Sequence, residues 1–574
     1  MQPDQKPPTH TNQVIFYRIF ALLLIGFLFC IPAGALEETN TTIPLHILAV
    51  NDFHGQLTSG QSMNGSPVGS LPVLASYLRE AVSQYGRNNT IIALPGDMTG
   101  ASEAESDLLL DEPTILYFNS LATGDWKKTT LNNDTNIQVI GCLGNHEFDR
   151  DTDELFRLIN GGNGNTNITH LVDPYPGALW PVVTANAFDN STGELLFEPY
   201  FIKEIDGIPV AFIGAVTIET AETTLPANVK SLLFTDEADA INKQVKILQK
   251  EGIHSFVILI HEGGTQTPYD GLTRETGDLS GRITSIIYRL DEDVDVVISA
   301  HTHQFTNQYL PNAGGKPTLV TQAYSYSKAY ADIDLEIDPE SKDIIEKSAT
   351  IVSDYANQGL GLEPDKNAEE LLDAVNIAVD PLIDEIIAST DIPITRNVEE
   401  NGESLLYDIA ADSMRWAMNT DMGIINEGSL RADIPAGEIT TGMAYSVMPF
   451  HDQIYTIQLS GEQVKDLLNQ QWTRTIKPDH LLQISGFSYS YDNSSESDKV
   501  TGILFDGKEL DMDETYTIAS TDFLAEGGDG YTVMEEGVIS GYGNLDVDIF
   551  IDYLKSLPSP IQTRTGGRIN STNN

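Results

Sequence analysis

At Ile140–Asp149 the chain reads I-G-C-L-G-N-H-E-F-D, an apolar run that breaks at a glycine into an amide, an imidazole and two carboxylates. Four other segments end in the same manner: N-D-F-H-G (Asn51–Gly55), P-G-D (Pro95–Asp97), I-H-E-G-G (Ile260–Gly264) and S-A-H-T-H (Ser299–His303). Each follows an apolar run that reads as a buried strand. These runs are Pro44–Val50, Thr90–Leu94, Ile137–Ile140, Phe256–Ile260 and Val294–Ser299, with Val210–Ile213 a further strand of the same kind. Between them, Leu71–Val82 and Thr235–Glu251 have helical spacing, and Ala329–Asp338 alternates strictly as a half-exposed strand. Such alternation implies an α/β layered domain with helices covering a central sheet. The polar segments fall where open α/β sheets place their ligands, just past the strand ends.

Together the five segments supply Asp52, His54, Asp97, Asn145, His261, His301 and His303. Mixed carboxylate, amide and imidazole donors suit Zn, Mn, Fe or Co better than Ca, and no thiolate is offered. The set is large enough for two divalent ions sharing one bridging carboxylate. Two such ions clamp the attacking and leaving oxygens of a phosphoryl transfer, which points to a phosphoesterase. Asp52 and His54, two apart on an extended segment, are expected to face one side. Asn145 offers a neutral oxygen. His146 beside it can act on the substrate, and Asp149 can hydrogen-bond its ring and fix the tautomer. Any one histidine here would read as a packing residue; five of the chain's 11 histidines in strand-end motifs carry the argument. The other six, His451 among them, read as structural or surface residues.

Past a polar stretch at 354–366, a stripe from Ala368 through Leu371, Val375, Val379 and Ile383 to Ile387 predicts a helix over 367–388, which Pro381 can kink. The second domain, 391–557, mixes helices (Leu405–Asn419, Gly461–Gln470) with strands (Gln453–Leu459, Gly486–Tyr491, Tyr516–Ser520). The polar tail, 558–574, reads as disordered.

At 574 residues two domains are the default. The 84 acidic against 32 basic residues leave a formal charge of −52. A surface this acidic repels phosphate backbones, which argues against a nucleic-acid polymer as partner. Lys6 and Arg18 precede an apolar run, Ile19 to Ile31, followed by Ala33-Gly34-Ala35. At about 13 residues the run is short for a membrane span, so residues 1–35 read as an export signal cut after Ala35. An uncleaved anchor extended back through Val14 is the alternative; once cleaved, no stable membrane insertion is expected. The protein is then extracellular, periplasmic or at the cell surface. Cleavage removes Cys30 and leaves Cys142 without an internal disulfide partner.

The ordered metal motifs resemble those of the calcineurin-like metallophosphoesterases. Asn426-Glu-Gly-Ser-Leu-Arg431, Pro449-Phe450 and Phe523-Leu-Ala-Glu-Gly-Gly-Asp-Gly-Tyr531 narrow the resemblance to the exported 5′-nucleotidase / UDP-sugar hydrolase family, over about 45–557. It implies a four-layer αββα catalytic domain over 45–354, a linker and interdomain helix over 355–390, and an α+β recognition domain over 391–557. One metal ion would be held by Asp52, His54, Asp97 and His303, the other by Asp97, Asn145, His261 and His301. His146, paired with Asp149, would stabilise the transferring phosphoryl group, and a metal-bound water would attack it. Phe450 and Phe523 resemble the aromatic pair that sandwiches a nucleobase, and Asp529 the ribose-hydroxyl acceptor. Asn426 and Arg431 resemble polar contacts of the same pocket. The resemblance implies a nucleotide substrate and, foremost, a 5′-nucleotidase. A 2′,3′-cyclic-nucleotide phosphodiesterase/3′-nucleotidase, a UDP-sugar hydrolase and a non-catalytic nucleotide-binding surface protein remain alternatives. Two departures stand out. Glu403-Ser404 occupies a place where relatives carry an arginine, and His451-Asp452 follows Phe450 where relatives often have Gly-Asn.

Overall fold

A computed structural model describes residues 42–574, apart from 132–137, 165, 167, 400–401, 475–479, 496–497, 563–565 and 573–574. The expected export signal, 1–35, lies outside the described residues. No helix among the described residues is long and apolar enough to cross a membrane.

Two six-stranded sheets build the first domain. One runs in the order Ile344–Ser353, Ala329–Ile337, Ile43–Ala49, Thr90–Leu94, Gln138–Cys142, Val182–Val183. The other runs Phe305–Pro311, Pro317–Ala323, Val294–Ser299, Ser255–His261, Ile208–Val216, Tyr200–Ile205. Leu45, Ile47, Ile91 and Ile140 of the first sheet and Phe212, Val257, Leu259 and Val296 of the second share one buried core between the sheets. The outer face of the first is covered by helices Leu71–Tyr85 and Glu112–Thr123, that of the second by Glu237–Gln249 and Arg282–Ile287. The expected four-layer αββα arrangement is therefore present. Strands covered on both faces need continuous apolar runs, which is why Thr90–Leu94, Ser255–His261 and Val294–Ser299 are buried throughout. Parallel pairing of Ile43–Ala49 with Thr90–Leu94, and of Ser255–His261 with Val294–Ser299, brings their carboxyl ends to one edge.

The second domain is α+β, built on a five-stranded mixed sheet in the order Gln483–Ser485, Met422–Ile425, Thr515–Thr521, Gln453–Ser460, Val538–Leu545. Helices Leu405–Met418 and Asp546–Ser556 cover one face and Gly461–Gln470 the other.

Three expectations change. The helix predicted to join the domains spans Lys366–Ile383 and packs Ala368, Leu371, Val375 and Val379 into the outer layer of the first domain. It stops two residues past Pro381, and Ile386–Thr390 is instead a strand paired with Gly437–Thr440. Proline lacks the N–H that a continuing helix needs, and the following Ile-Ile pair is β-branched. The tail predicted to be disordered contributes the strand Ile569–Ser571, parallel to Phe487–Tyr491. It is anchored because the Glu403 carboxylate accepts from the amides of Gly567 (2.9 Å) and Ile569 (2.5 Å).

Candidate metal centre

All seven predicted ligands converge at the shared strand edge. Asp52, His54, Asp97 and His303 place one donor atom each within 4.8 Å of one another, as do Asp97, His261 and His301. Asp97 belongs to both groups, the position of a bridging carboxylate. Asn145 lies alongside: the amide that follows it, on His146, donates to Asp97 Oδ1 at 2.9 Å.

The local backbone differs from the extended segment predicted for Asp52 and His54. Asp52 (φ 43°), His54 (49°), Asp97 (51°), His301 (73°) and His303 (58°) all adopt left-handed conformations. Side chains rarely occupy that region without compensation from the surroundings, and such residues cluster at functional sites. Here the turned backbone, rather than a period of two, brings the donors together. Gly144 marks how tight the cradle is, since a Cβ there would stand 2.1 Å from Asp97 Oδ1.

The ring nitrogens are oriented for metal binding. His54 Nδ1 contacts the Gly100 carbonyl at 2.8 Å and His261 Nδ1 the Pro95 carbonyl at 3.0 Å, so each presents Nε2 to the centre. Burial holds the imidazoles of His54 and His303 well below their ordinary values, so both stay neutral with a lone pair available. Several donors fit a cation and little else. His54 Nε2 and His303 Nε2 face each other at 3.1 Å, and buried Asp52 Oδ2 and Asn145 Oδ1 have no hydrogen-bond partner. The residues thus suit two divalent ions.

His146 sits at the edge of this cluster, its Nδ1 2.8 Å from Asp149 Oδ2. Its ring stacks on Phe450 of the second domain at 5.8 Å between centroids. Around that contact lies a cavity of about 850 Å³. Its wall carries Asp97, Asn145, His146, Asp149, His301 and His303 from the first domain, and Asn426, Arg431, Phe450, Phe523 and Asp529 from the second. Arg431 is part-buried and donates to the Tyr326 hydroxyl at 3.0 Å, spanning the domains. Asn426 Nδ2 donates to Asp529 Oδ2 at 2.8 Å.

Several residues of the site escaped the sequence. Glu147 is buried, and its carboxylate accepts from the amides of Asp97 (2.9 Å), Met98 (2.7 Å), Thr99 (3.2 Å) and Gly144 (2.5 Å). It ties the Asp97 loop to the Asn145 loop. Burial, then the charge of Asp97, pushes its carboxyl up to about 7. Tyr326 packs against His54 and His303, with ring centroids 5.3 and 5.1 Å away. Arg474 Nη1 donates to the Asp529 carbonyl at 3.1 Å. Arg396 lines the cavity, whereas Glu403 faces the C-terminal strand. His451, expected as a structural or surface residue, lines the cavity too and reaches Asp107 of the first domain. No local motif marks these positions; the Glu in G-N-H-E-F-D was the one signal at hand.

A family model described as calcineurin-like phosphoesterase matches residues 45–305, and one described as 5′-nucleotidase, C-terminal domain, matches 386–536. The chain belongs to the 5′-nucleotidase family. It is 34% identical to "Endonuclease YhcR" of Bacillus subtilis over 92% of this chain, but spans only 41% of that relative's length. It is 30% identical to "Cell wall protein Lmo0130" of Listeria monocytogenes, over 94% of this chain and 70% of the relative. The crystal structure of a 5′-nucleotidase precursor from Thermus thermophilus shares the fold. It superposes with a TM-score of 0.72 at 24% identity, covering 92% of this chain and all of the other. The calcineurin-like phosphoesterase fold of the first domain implies divalent metal ions, and the 5′-nucleotidase C-terminal domain fits a nucleotide substrate.

Proposed function

We propose that this chain is an exported 5′-nucleotidase that releases phosphate from nucleoside 5′-monophosphates. The observation that carries the reading is a single cavity joining a two-centre metal cluster to an aromatic and acidic wall on the other domain. Bound at Asp52, His54, Asp97 and His303, and at Asp97, Asn145, His261 and His301, two divalent ions of the Zn, Mn, Fe or Co class would supply Lewis-acid stabilisation of the phosphoryl oxygens. The chain's own residues do the rest. Asp149 holds His146 through Nδ1, so Nε2 is the nitrogen that stabilises the phosphoryl group and protonates the departing ribose oxygen. Arg431 adds fixed positive charge beside the cluster. Phe450 and Phe523 stack the base, and Asp529, oriented by Asn426, accepts from a ribose hydroxyl.

Export is supported by the name of the Listeria relative and by the apolar, small-residue-terminated N-terminus. The formal charge of −52 disfavours a polymeric nucleic-acid substrate, although one relative is named an endonuclease.

Phosphate release from AMP, assayed with Mn, Zn or Co in turn beside the His146→Ala variant, tests the reading. Metal-dependent release that is lost in the variant supports it. Release from 2′,3′-cyclic AMP or UDP-glucose but not from AMP would reassign the substrate while keeping the metal centre.

A further inference from the structure

Both phenylalanines that line the cavity have an aspartate within two residues in the chain: Phe450-His451-Asp452 on one side and Asp522-Phe523 on the other. Both aspartates line the cavity. The left-handed His451 (φ 57°) turns the chain between Phe450 and Asp452 and sends its own ring out to Asp107 at 2.6 Å. Arg150 is drawn to the same Asp107 at 2.6 Å. Asp452 is therefore left without a cation. It is nine-tenths buried, at 9% exposure, and its carboxyl makes no hydrogen bond or ion pair with the described residues. Its carbonyl is used structurally, accepting from the Asp546 amide at 2.8 Å. Asp522 spends one oxygen on its neighbour's backbone, Oδ1 accepting from Phe523 N at 2.9 Å.

A buried carboxyl facing a cavity without a partner is costly unless a ligand satisfies it. This one lies beside the two rings against which a flat ligand would stack. Burial, then the charges of Asp546, Asp522 and Asp149, hold Asp452 well above the ordinary carboxyl range. Burial raises Asp522 to about 6. Two carboxyl groups lining one cavity offer acceptor oxygens in excess of donors whether or not one of them holds a proton. A base edge rich in N–H groups matches that supply, and one dominated by carbonyl oxygens does not.

Resting on the nucleotidase reading, we propose that Asp452 and Asp522 are specificity-determining residues that read the base edge. They favour bases bearing an exocyclic amino group over their oxo counterparts. The discriminating pairs are AMP against IMP and CMP against UMP.

The test is kcat/KM for these four nucleotides, measured on the metal-loaded protein and on Asp452→Leu, Asp452→Asn and Asp522→Asn. The wild type is expected to favour AMP over IMP and CMP over UMP by about tenfold or more, the scale of a charge-assisted hydrogen bond. Asp452→Leu should bring both ratios toward one, mainly through KM. Asp452→Asn, which keeps a donor and an acceptor, should retain most of the preference. Loss of packing alone would lower all four substrates together and leave the ratios intact, and that result would overturn the proposal. So would wild-type ratios near one with all four nucleotides hydrolysed, while the nucleotidase reading survived. Release from none of the four would overturn both.

Discussion

His451 Nε2 and Asp107 Oδ2 meet at 2.6 Å, joining the loop that follows Phe450 to the short helix Ala104–Asp107 of the other domain. Arg150, next to Asp149, donates to the second oxygen of the same carboxylate. One buried acid thus ties the wall that carries Phe450 to the wall that carries Asp149. Burial alone would lower the His451 ring, but the hydrogen bond and charge of Asp107 outweigh it and raise the ring above its ordinary value. A group raised in the folded state stabilises fully below its unfolded value, near ~6.5, and the contribution fades as pH climbs through the folded value. His451→Ala should therefore cost about 1–2 kcal/mol at pH 5.5 and progressively less in alkaline buffer, read by urea unfolding. A cost independent of pH would refute the ion pair as its source.

Glu147 invites the second prediction. Its carboxylate collects four backbone amides from the two loops that carry Asp97 and Asn145. Glu147→Ala should destabilise the metal-free protein by about 2–4 kcal/mol, because four buried amides lose their acceptor. Metal affinity should fall by about 10- to 100-fold, the usual effect of losing a group that orients ligands. Calorimetric metal titration reads this without any assay of turnover. Native affinity in Glu147→Ala would show that the loops hold themselves.

Asp97 and the histidines are legible in the sequence because a buried strand ending in polar residues has little other use for them. Glu147 is not, since its partners are amides, which every residue carries. The left-handed turns at Asp52 and His303 are invisible for a related reason: the usual cue for positive φ is glycine, and here candidate metal ligands occupy those positions. Helix Glu112–Thr123 is buried on all sides and so shows no polar face from which to read a period. The convergence of Arg431 on Tyr326, and of His451 on Asp107, depends on domain packing that no local pattern records.

Gly144 has the closest steric margin in the centre. An added Cβ at 2.1 Å from Asp97 Oδ1 cannot be absorbed by the far end of a flexible chain, because that oxygen also accepts from His146 N. Gly144→Ala should displace the Asp97 carboxylate and reduce turnover by at least about 100-fold, the cost of a misplaced catalytic group. Bound metal, counted by atomic absorption after dialysis, should drop in parallel. Full metal content with native turnover would mean the loop can retreat.

The C-terminal strand supplies the last prediction. Residues 566–572 lie far from the metal ligands in sequence, yet they complete the second domain. Ile569 is fully buried, Arg568 Nη2 pairs with Asp412 Oδ2 at 2.8 Å, and buried Glu403 takes the amides of Gly567 and Ile569. Removing residues from 566 onward strips Glu403 of those two donors and exposes the edge of Phe487–Tyr491. The expected loss is about 3–5 kcal/mol, the range for uncovering a buried charge. Glu403→Gln in the truncated chain should recover part of it, since losing two donors costs a neutral amide less than a carboxylate. If truncation leaves the denaturation midpoint unchanged, the strand is an accessory rather than a closing element. If it lowers the midpoint and Glu403→Gln restores nothing, the loss comes from the strand's own packing around Ile569.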